Sequence, residues 1–151
     1  MAIAIVVMAI GGLILVTQLK GQDNGQDNAP GVDLVSGNGT VTHMDVEIAD
    51  TPAEWEHGLM NRSAMPEDAG MLFVFGNDAP RYFWMENTLI PLDMIFIAKN
   101  LTIIDIHENA TPLSRDVIAS SGPCRYVLEV NGGLCAADDI DIGDRVTLDL
   151  D

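Results

Sequence analysis

Positive charge is the scarcest property of this chain. Of 151 residues only seven are Lys or Arg, against 23 Asp or Glu, for a formal net charge of −16 at neutral pH. Lysine is confined to Lys20 and Lys99, and every acidic residue follows Lys20. Phosphate binding needs a basic face, so this composition speaks against nucleic acid as a partner. A charge this one-sided repels itself unless dense counterions screen it, and with so little lysine it reads as adaptation to salt.

Cysteine is nearly as scarce, with Cys124 and Cys135 alone. Neither stands directly after the apolar N-terminal run, so no lipoprotein anchor is expected. The histidines, His43, His57 and His107, are scattered, without a His-x-x-x-His pair or a cysteine at metal-ligand spacing. No metal or cofactor is expected; His107, near Asp105 and Glu108, is the best corner for one and a weak one. A Gly-x-Ser-x-Gly elbow, a P-loop and a dinucleotide fingerprint are all missing, so the sequence makes no positive case for an enzyme. Methionine-rich stretches would suit copper(I), but most of these methionines lie inside apolar runs, where they fill gaps in a core. The acidic stretch from Asp138 to Asp144 lacks the EF-hand spacing and closing glutamate, and reads as a turn.

Residues 1–19 form the longest apolar stretch. No charge occurs from Ala2 to Val16, and apolarity continues to Leu19. At ~1.5 Å per residue a helix over 2–19 approaches the ~30 Å hydrocarbon thickness, so a membrane anchor is expected. A cleaved signal peptide competes, but no small-x-small site and no positive n-region accompany the run. Residues 20–39, with the tandem Gly21-Gln22-Asp23-Asn24 and Gly25-Gln26-Asp27-Asn28, read as a flexible linker. Residues 40–151 remain for one folded domain.

Lys20 alone would weakly hold the C-terminal side of the span in the cytoplasm. Four Asn-x-Ser/Thr acceptor sites, at Asn38, Asn61, Asn100 and Asn109, point the other way, to a domain displayed outside the cell membrane.

Period-two alternation predicts half-buried strands around Met44, Val46 and Ile48 and around Val146, Leu148 and Leu150. Apolar runs at Met71–Phe75 and Met94–Ala98 fit strands covered on both faces. Lys99-Asn100 turns the second of these into Leu101–Ile106 as a hairpin. Tyr126–Val130 is a further strand. Thr51-Pro52-Ala53-Glu54 opens a helix with a capping box, expected to run to about Asn61 with Trp55 and Leu59 buried. A second short helix is expected over Leu134–Asp138. The expected class is α+β and predominantly β, an antiparallel barrel or sandwich with two short helices behind a transmembrane helix.

The blocks Gly58-Leu59-Met60-Asn61-Arg62, Gly70-Met71-Leu72-Phe73-Val74-Phe75 and Phe83-Trp84-Met85-Glu86-Asn87-Thr88-Leu89-Ile90-Pro91-Leu92-Asp93, extended by Tyr126–Val130 and Ile142-Gly143-Asp144, resemble the domain of unknown function 192 family. The resemblance spans the whole folded unit. It implies a compact β-rich domain, often behind a signal or anchor in bacteria and archaea, with no established reaction. The resemblance implies a residue that is usually basic between Met85 and Asn87, and Glu86 departs from it.

Three functions stay open. One is a tethered extracytoplasmic binding or accessory domain, with Arg62, Trp84, Met85, Asn87, Asp93 and Glu129 as candidate ligand residues for a small molecule or protein. Here Arg62 would form a bidentate pair with Asp93, Glu129 or a ligand carboxylate. The second is a small hydrolase using Asp93 with Glu129 or His107. The third is a structural envelope component in which Asn87 and Asp93 merely tie down the Leu89-Ile90-Pro91 loop. Cys124 and Cys135 invite a disulfide in an oxidising compartment. The intervening strand, however, would carry the chain ~20 Å away before a short helix returns part of that distance.

Overall fold

A computed structural model describes residues 29–150. The expected anchor over 2–19 lies outside the described residues, among which no helix is long and apolar enough to cross a membrane.

Among the described residues, nine strands and two short helices follow in the order β1 (Gly31–Val35), β2 (Val41–Ala49), α1 (Pro52–His57), β3 (Ala69–Ala79), β4 (Tyr82–Phe83), β5 (Leu92–Ile97), β6 (Ile103–Ala110), β7 (Ile118–Ala119), β8 (Cys124–Asn131), α2 (Leu134–Ala137) and β9 (Arg145–Asp149). Seven strands build one sheet in the order β6-β5-β8-β3-β2-β1-β9, and β4 pairs with β7 as a separate ribbon. Pairing is antiparallel except between β2 and β3, which run parallel with α1 in their crossover.

The sheet curls until its outer strands meet. Thr102 bridges Arg145, Ile103 N–H donates to Asp144 O at 2.9 Å, and Val146 N–H donates to Leu101 O at 2.9 Å. The result is a curled half-barrel closed at one end, not a two-sheet sandwich. Curling brings the inward side chains of every strand into one core: Val32, Leu34, Met44, Val46, Leu72, Ile95, Ile103, Leu128, Val130 and Val146. Cys135 and Ile140, from α2 and the turn after it, pack into the same core.

The strand alternation is realised where expected, Met44 and Val46 in β2 and Val146 in β9 being buried. Strand β5 is buried at all six positions, as its apolar run requires. Strand β1 corrects the expected linker. It falls inside residues 20–39, between β2 and β9, and Val32 and Leu34 are fully buried. The glycines, asparagines and Pro30 around it mask a two-residue alternation when the segment is read by composition. Helix α1 is shorter than expected. Its capping box forms, with Thr51 Oγ1 accepting from Glu54 N–H and the Glu54 carboxylate accepting from Thr51 N–H, but it stops at Gly58, whose φ of 46° and ψ of −132° no other residue adopts easily.

Asp93 ties the end of β6 to the start of α2 at one end of the sheet. It is fully buried on the inner face of β5, and its carboxylate accepts from Asn109 N–H at 2.8 Å, Gly133 N–H at 3.0 Å and Cys135 N–H at 2.9 Å. Those amides belong to the irregular end of β6 and the start of α2, where nothing else would satisfy them. Asp93→Ala should therefore lower stability by on the order of 3 kcal/mol or more, since it strands three donors. Urea denaturation followed by circular dichroism measures this, and Asp93→Asn, keeping one acceptor oxygen, should lose less.

Candidate functional site

A sheet that curls inward leaves its outer face uncovered. Over β3, β8 and β5 that face carries Met71, Phe73, Val127, Leu92, Met94 and Phe96, a second core. It is roofed by α1, the Gly58–Asn61 turns, the β4–β7 ribbon and the segment from Trp84 to Ile90.

Aromatic packing fixes the roof. Phe83 meets Phe73 edge-on at 5.1 Å and Phe96 at 6.1 Å, contacts worth ~0.5–1.5 kcal/mol each beyond their burial. Trp55 lies 5.0 Å from Phe75, and its indole N–H donates to Ala49 O at 3.0 Å, tying α1 to the end of β2. With Phe83 turned inward and Met85 fully buried, Trp84 between them must point outward, and it stays 47 % exposed. Met85 N–H donates to Ser114 O at 2.9 Å, which holds that register.

Glu129 lies beneath this roof. It sits in the middle of β8, paired with Met71 of β3 on one side and Met94 of β5 on the other. It is 4 % exposed, and no hydrogen bond or ion pair to its carboxyl forms among the described residues. Burial away from water pushes its pKa from the ordinary 4.5 up to about 8, so at neutral pH the group is mostly a carboxylic acid. Above it opens a cavity of about 30 Å³ lined by Trp55, His57, Phe73, Phe83, Trp84 and Thr88 together with Gly58. That is room for one or two water-sized groups. It adjoins a larger cleft of about 230 Å³, which shares Trp55, Phe83 and Trp84 and adds Phe75, Arg81 and Tyr82.

Gly58 keeps the cavity open. A Cβ at position 58 would stand 3.3 Å from the Phe73 ring and 3.9 Å from Glu129 Oε2, in a backbone conformation already strained for an L side chain.

The other sequence-expected residues are dispersed. Arg62 makes its bidentate pair with Glu47 of β2, Nη2 to Oε2 at 2.7 Å, and not with Asp93 or Glu129. The pair lowers the Glu47 pKa and raises that of Arg62, chiefly through its hydrogen bonds. Asn87 is exposed at φ 54°, and its carbonyl accepts from Asn61 N–H at 2.9 Å, which joins two turns of the roof. Glu86 reaches Arg115 at 2.5 Å, so the departure from the family's basic residue is met by an arginine on the β6–β7 connection. Asp93 and Glu129 project from opposite faces of the sheet, and both Asp93 oxygens already hold amides, so the two do not form an acid–base pair. His107 is exposed on β6, with Met94 between it and Glu129.

Cys124 and Cys135 are both free and buried, one in the outer core and one in the inner core, with the sheet between them. Burial raises the pKa of both thiols. Asn38, Asn61, Asn100 and Asn109 are all exposed, the first three in turns and Asn109 at the irregular end of β6. No group of His, Cys, Asp and Glu that could hold a metal ion occurs among the described residues.

Such a molecule is a curled β half-barrel with an aromatic cleft on its outer face. The family model DUF192, described as an uncharacterized ACR, matches residues 34–148, and the chain belongs to that family. Two crystal structures are similar to it. One is a protein from Sinorhizobium meliloti provisionally described as a transcription regulator, 44 % identical with a TM-score of 0.78, covering 80 % of this chain and 93 % of its own. The other is a protein of unknown function from Novosphingobium aromaticivorans, 37 % identical with a TM-score of 0.75, covering 78 % and 83 %. Comparison with curated proteins finds no match.

The buried acid gives a signed pH dependence. Because its folded pKa lies above the ordinary value, Glu129 contributes most stability below pH 4.5 and loses it as pH rises towards 8. Relative to Glu129→Gln, the wild type should lose on the order of 3–5 kcal/mol between those limits. Urea titrations of both proteins at several pH values measure the difference, in which the other carboxylates cancel. Gly58→Ala should cost ~1–3 kcal/mol from backbone strain and crowding against Phe73, read in the same titrations.

Proposed function

We propose that this DUF192 member is an extracytoplasmic binding or accessory domain, tethered by its N-terminal apolar segment, with its ligand site in the aromatic cleft over Glu129. The observation that carries the proposal is the Glu129 carboxyl itself. A buried carboxyl without a partner is costly to a fold, and this one lies on the floor of an open cleft rimmed by an exposed tryptophan. Clefts that combine apolar walls with a few convergent polar groups are where small ligands bind. Of the six candidate ligand residues, Trp84 and Glu129 line this cleft; Arg62, Met85, Asn87 and Asp93 serve the scaffold around it.

The hydrolase alternative loses support because Asp93 has both oxygens occupied on the other side of the sheet. Charge supports the rest of the proposal. The acidic surface disfavours nucleic acid even though one similar structure is described as a regulator of transcription. The exposed positions of the four glycosylation acceptors suit display outside the cell, and the apolar run over 2–19 suits the tether.

A fragment screen by ligand-observed NMR, run on the full chain in high salt, tests the site. Hits should compete with one another, and Trp84→Ala should weaken them about tenfold without changing the circular dichroism spectrum, the scale of losing one aromatic contact of 1–2 kcal/mol. Hits insensitive to both Trp84→Ala and Glu129→Gln would move the site elsewhere. For the tether, the full chain should sediment with membranes and resist alkaline carbonate extraction, and protease added to intact cells should remove the domain.

A further inference from the structure

The cavity over Glu129 is too small for a sugar ring or a phosphate. Its volume of about 30 Å³ admits a head group the size of a water molecule, while the adjoining cleft of about 230 Å³ admits a short apolar stem. The larger cleft is walled chiefly by ring surfaces, Trp55, Phe73, Phe83 and Trp84 also line the smaller cavity, and the buried carboxyl of Glu129 there has every acceptor position free among the described residues. An ammonium group meets all three conditions at once. It is small, it donates three hydrogen bonds, and it is attracted to the faces of aromatic rings. The protein already shows the last preference at the far end of the cleft, where the Arg81 guanidinium lies 3.8 Å from the centre of the Phe75 ring.

We propose that the cleft receives an organic cation, a protonated primary amine on an apolar stem, with the ammonium against the Glu129 carboxylate and the stem along Trp84 and Tyr82. This rests on the cleft being the ligand site, and it names the ligand's class. The charged and titratable groups facing the two cavities are Glu56 and His57 from α1, Arg81 and Tyr82 from the ribbon, and Glu129 from β8. Arg81 is held to Asn77 and Phe75, away from the inner cavity, and Glu56 adds negative charge at the mouth. The long-range field of a chain with net charge −16 draws cations to the surface as a whole. Because burial holds Glu129 mostly protonated near neutrality, the entering ammonium keeps its protons and the carboxyl gives up its own to solvent, one proton for each amine bound.

The test uses the full chain in a nonionic detergent at constant ionic strength, with n-butylammonium, n-butanol and butyrate as probes. Tryptophan fluorescence and calorimetry in buffers of different ionisation enthalpy are the readouts. Butylammonium should give a saturable signal at millimolar concentration and release close to one proton at pH 7, while butanol and butyrate do not saturate. Glu129→Gln and Trp84→Ala should each weaken it about tenfold or more, a loss on the scale of a desolvated cation–aromatic contact. The Gln variant should also abolish proton release, which a purely structural Glu129 would not do. Butanol binding as well as butylammonium, with Glu129→Gln silent and Trp84→Ala deleterious, would overturn the cation while leaving the cleft as a site. Saturation by none of the three, or binding indifferent to both variants, would overturn the cation and the cleft together. Trp84 is half exposed, so its truncation leaves a folded protein in which the outcome is read even where position 129 tolerates no change.

Discussion

A single sheet that curls far enough to close one end must solve the burial of its two faces differently. The inner face covers itself, because strands from β1 to β9 converge on one core as the sheet rolls up. The outer face of β3, β8 and β5 has no second sheet to meet, and everything distinctive in the molecule follows from how it is roofed. The roof is assembled from short pieces, a six-residue helix, a two-stranded ribbon and linked turns, each too small to bury a continuous apolar stripe. Between these pieces the roof leaves a cavity of about 30 Å³. The gap in this roof falls over the Glu129 carboxyl of β8.

The two buried carboxylates illustrate the contrast. Asp93 on the inner face accepts three main-chain amides and thereby satisfies a helix start and an irregular strand end. Glu129, one strand away on the outer face, accepts none among the described residues. The same residue class thus closes a loop junction in one place and faces a cavity in the other. Nearly identical sequence settings, an acidic residue inside an apolar strand, produce both, and the face of the sheet decides which.

Much of the scaffold was legible in the chain. The alternation of β2 and β9, the apolar runs of β3 and β5, the Lys99-Asn100 hairpin and the capped helix at Thr51 are local signals, and local physics realises them. The parallel pairing of β2 with β3 and the seventh strand β1 were not, since both depend on which distant segment lies alongside. The site was legible only in part for the same reason. Trp84 announces itself, but Arg62 finds its carboxylate in Glu47, fifteen residues back on a neighbouring strand, and no spacing rule reaches that far. Glu129 carried a signal that was available, a lone acid within Tyr126-Val127-Leu128-Glu129-Val130, on the same side of the strand as Val127. What sequence could not supply was the absence of a partner above it, a property of the roof alone.

A ¹³C NMR titration of the Glu129 side-chain carboxyl tests the central claim most directly. An unpartnered, largely buried acid on the floor of the cleft should change chemical shift with a midpoint near pH 8. A midpoint at the ordinary value of 4.5 would mean that the carboxyl is fully hydrated or paired, and would contradict a ligand cleft floored by a largely buried, unpartnered acid.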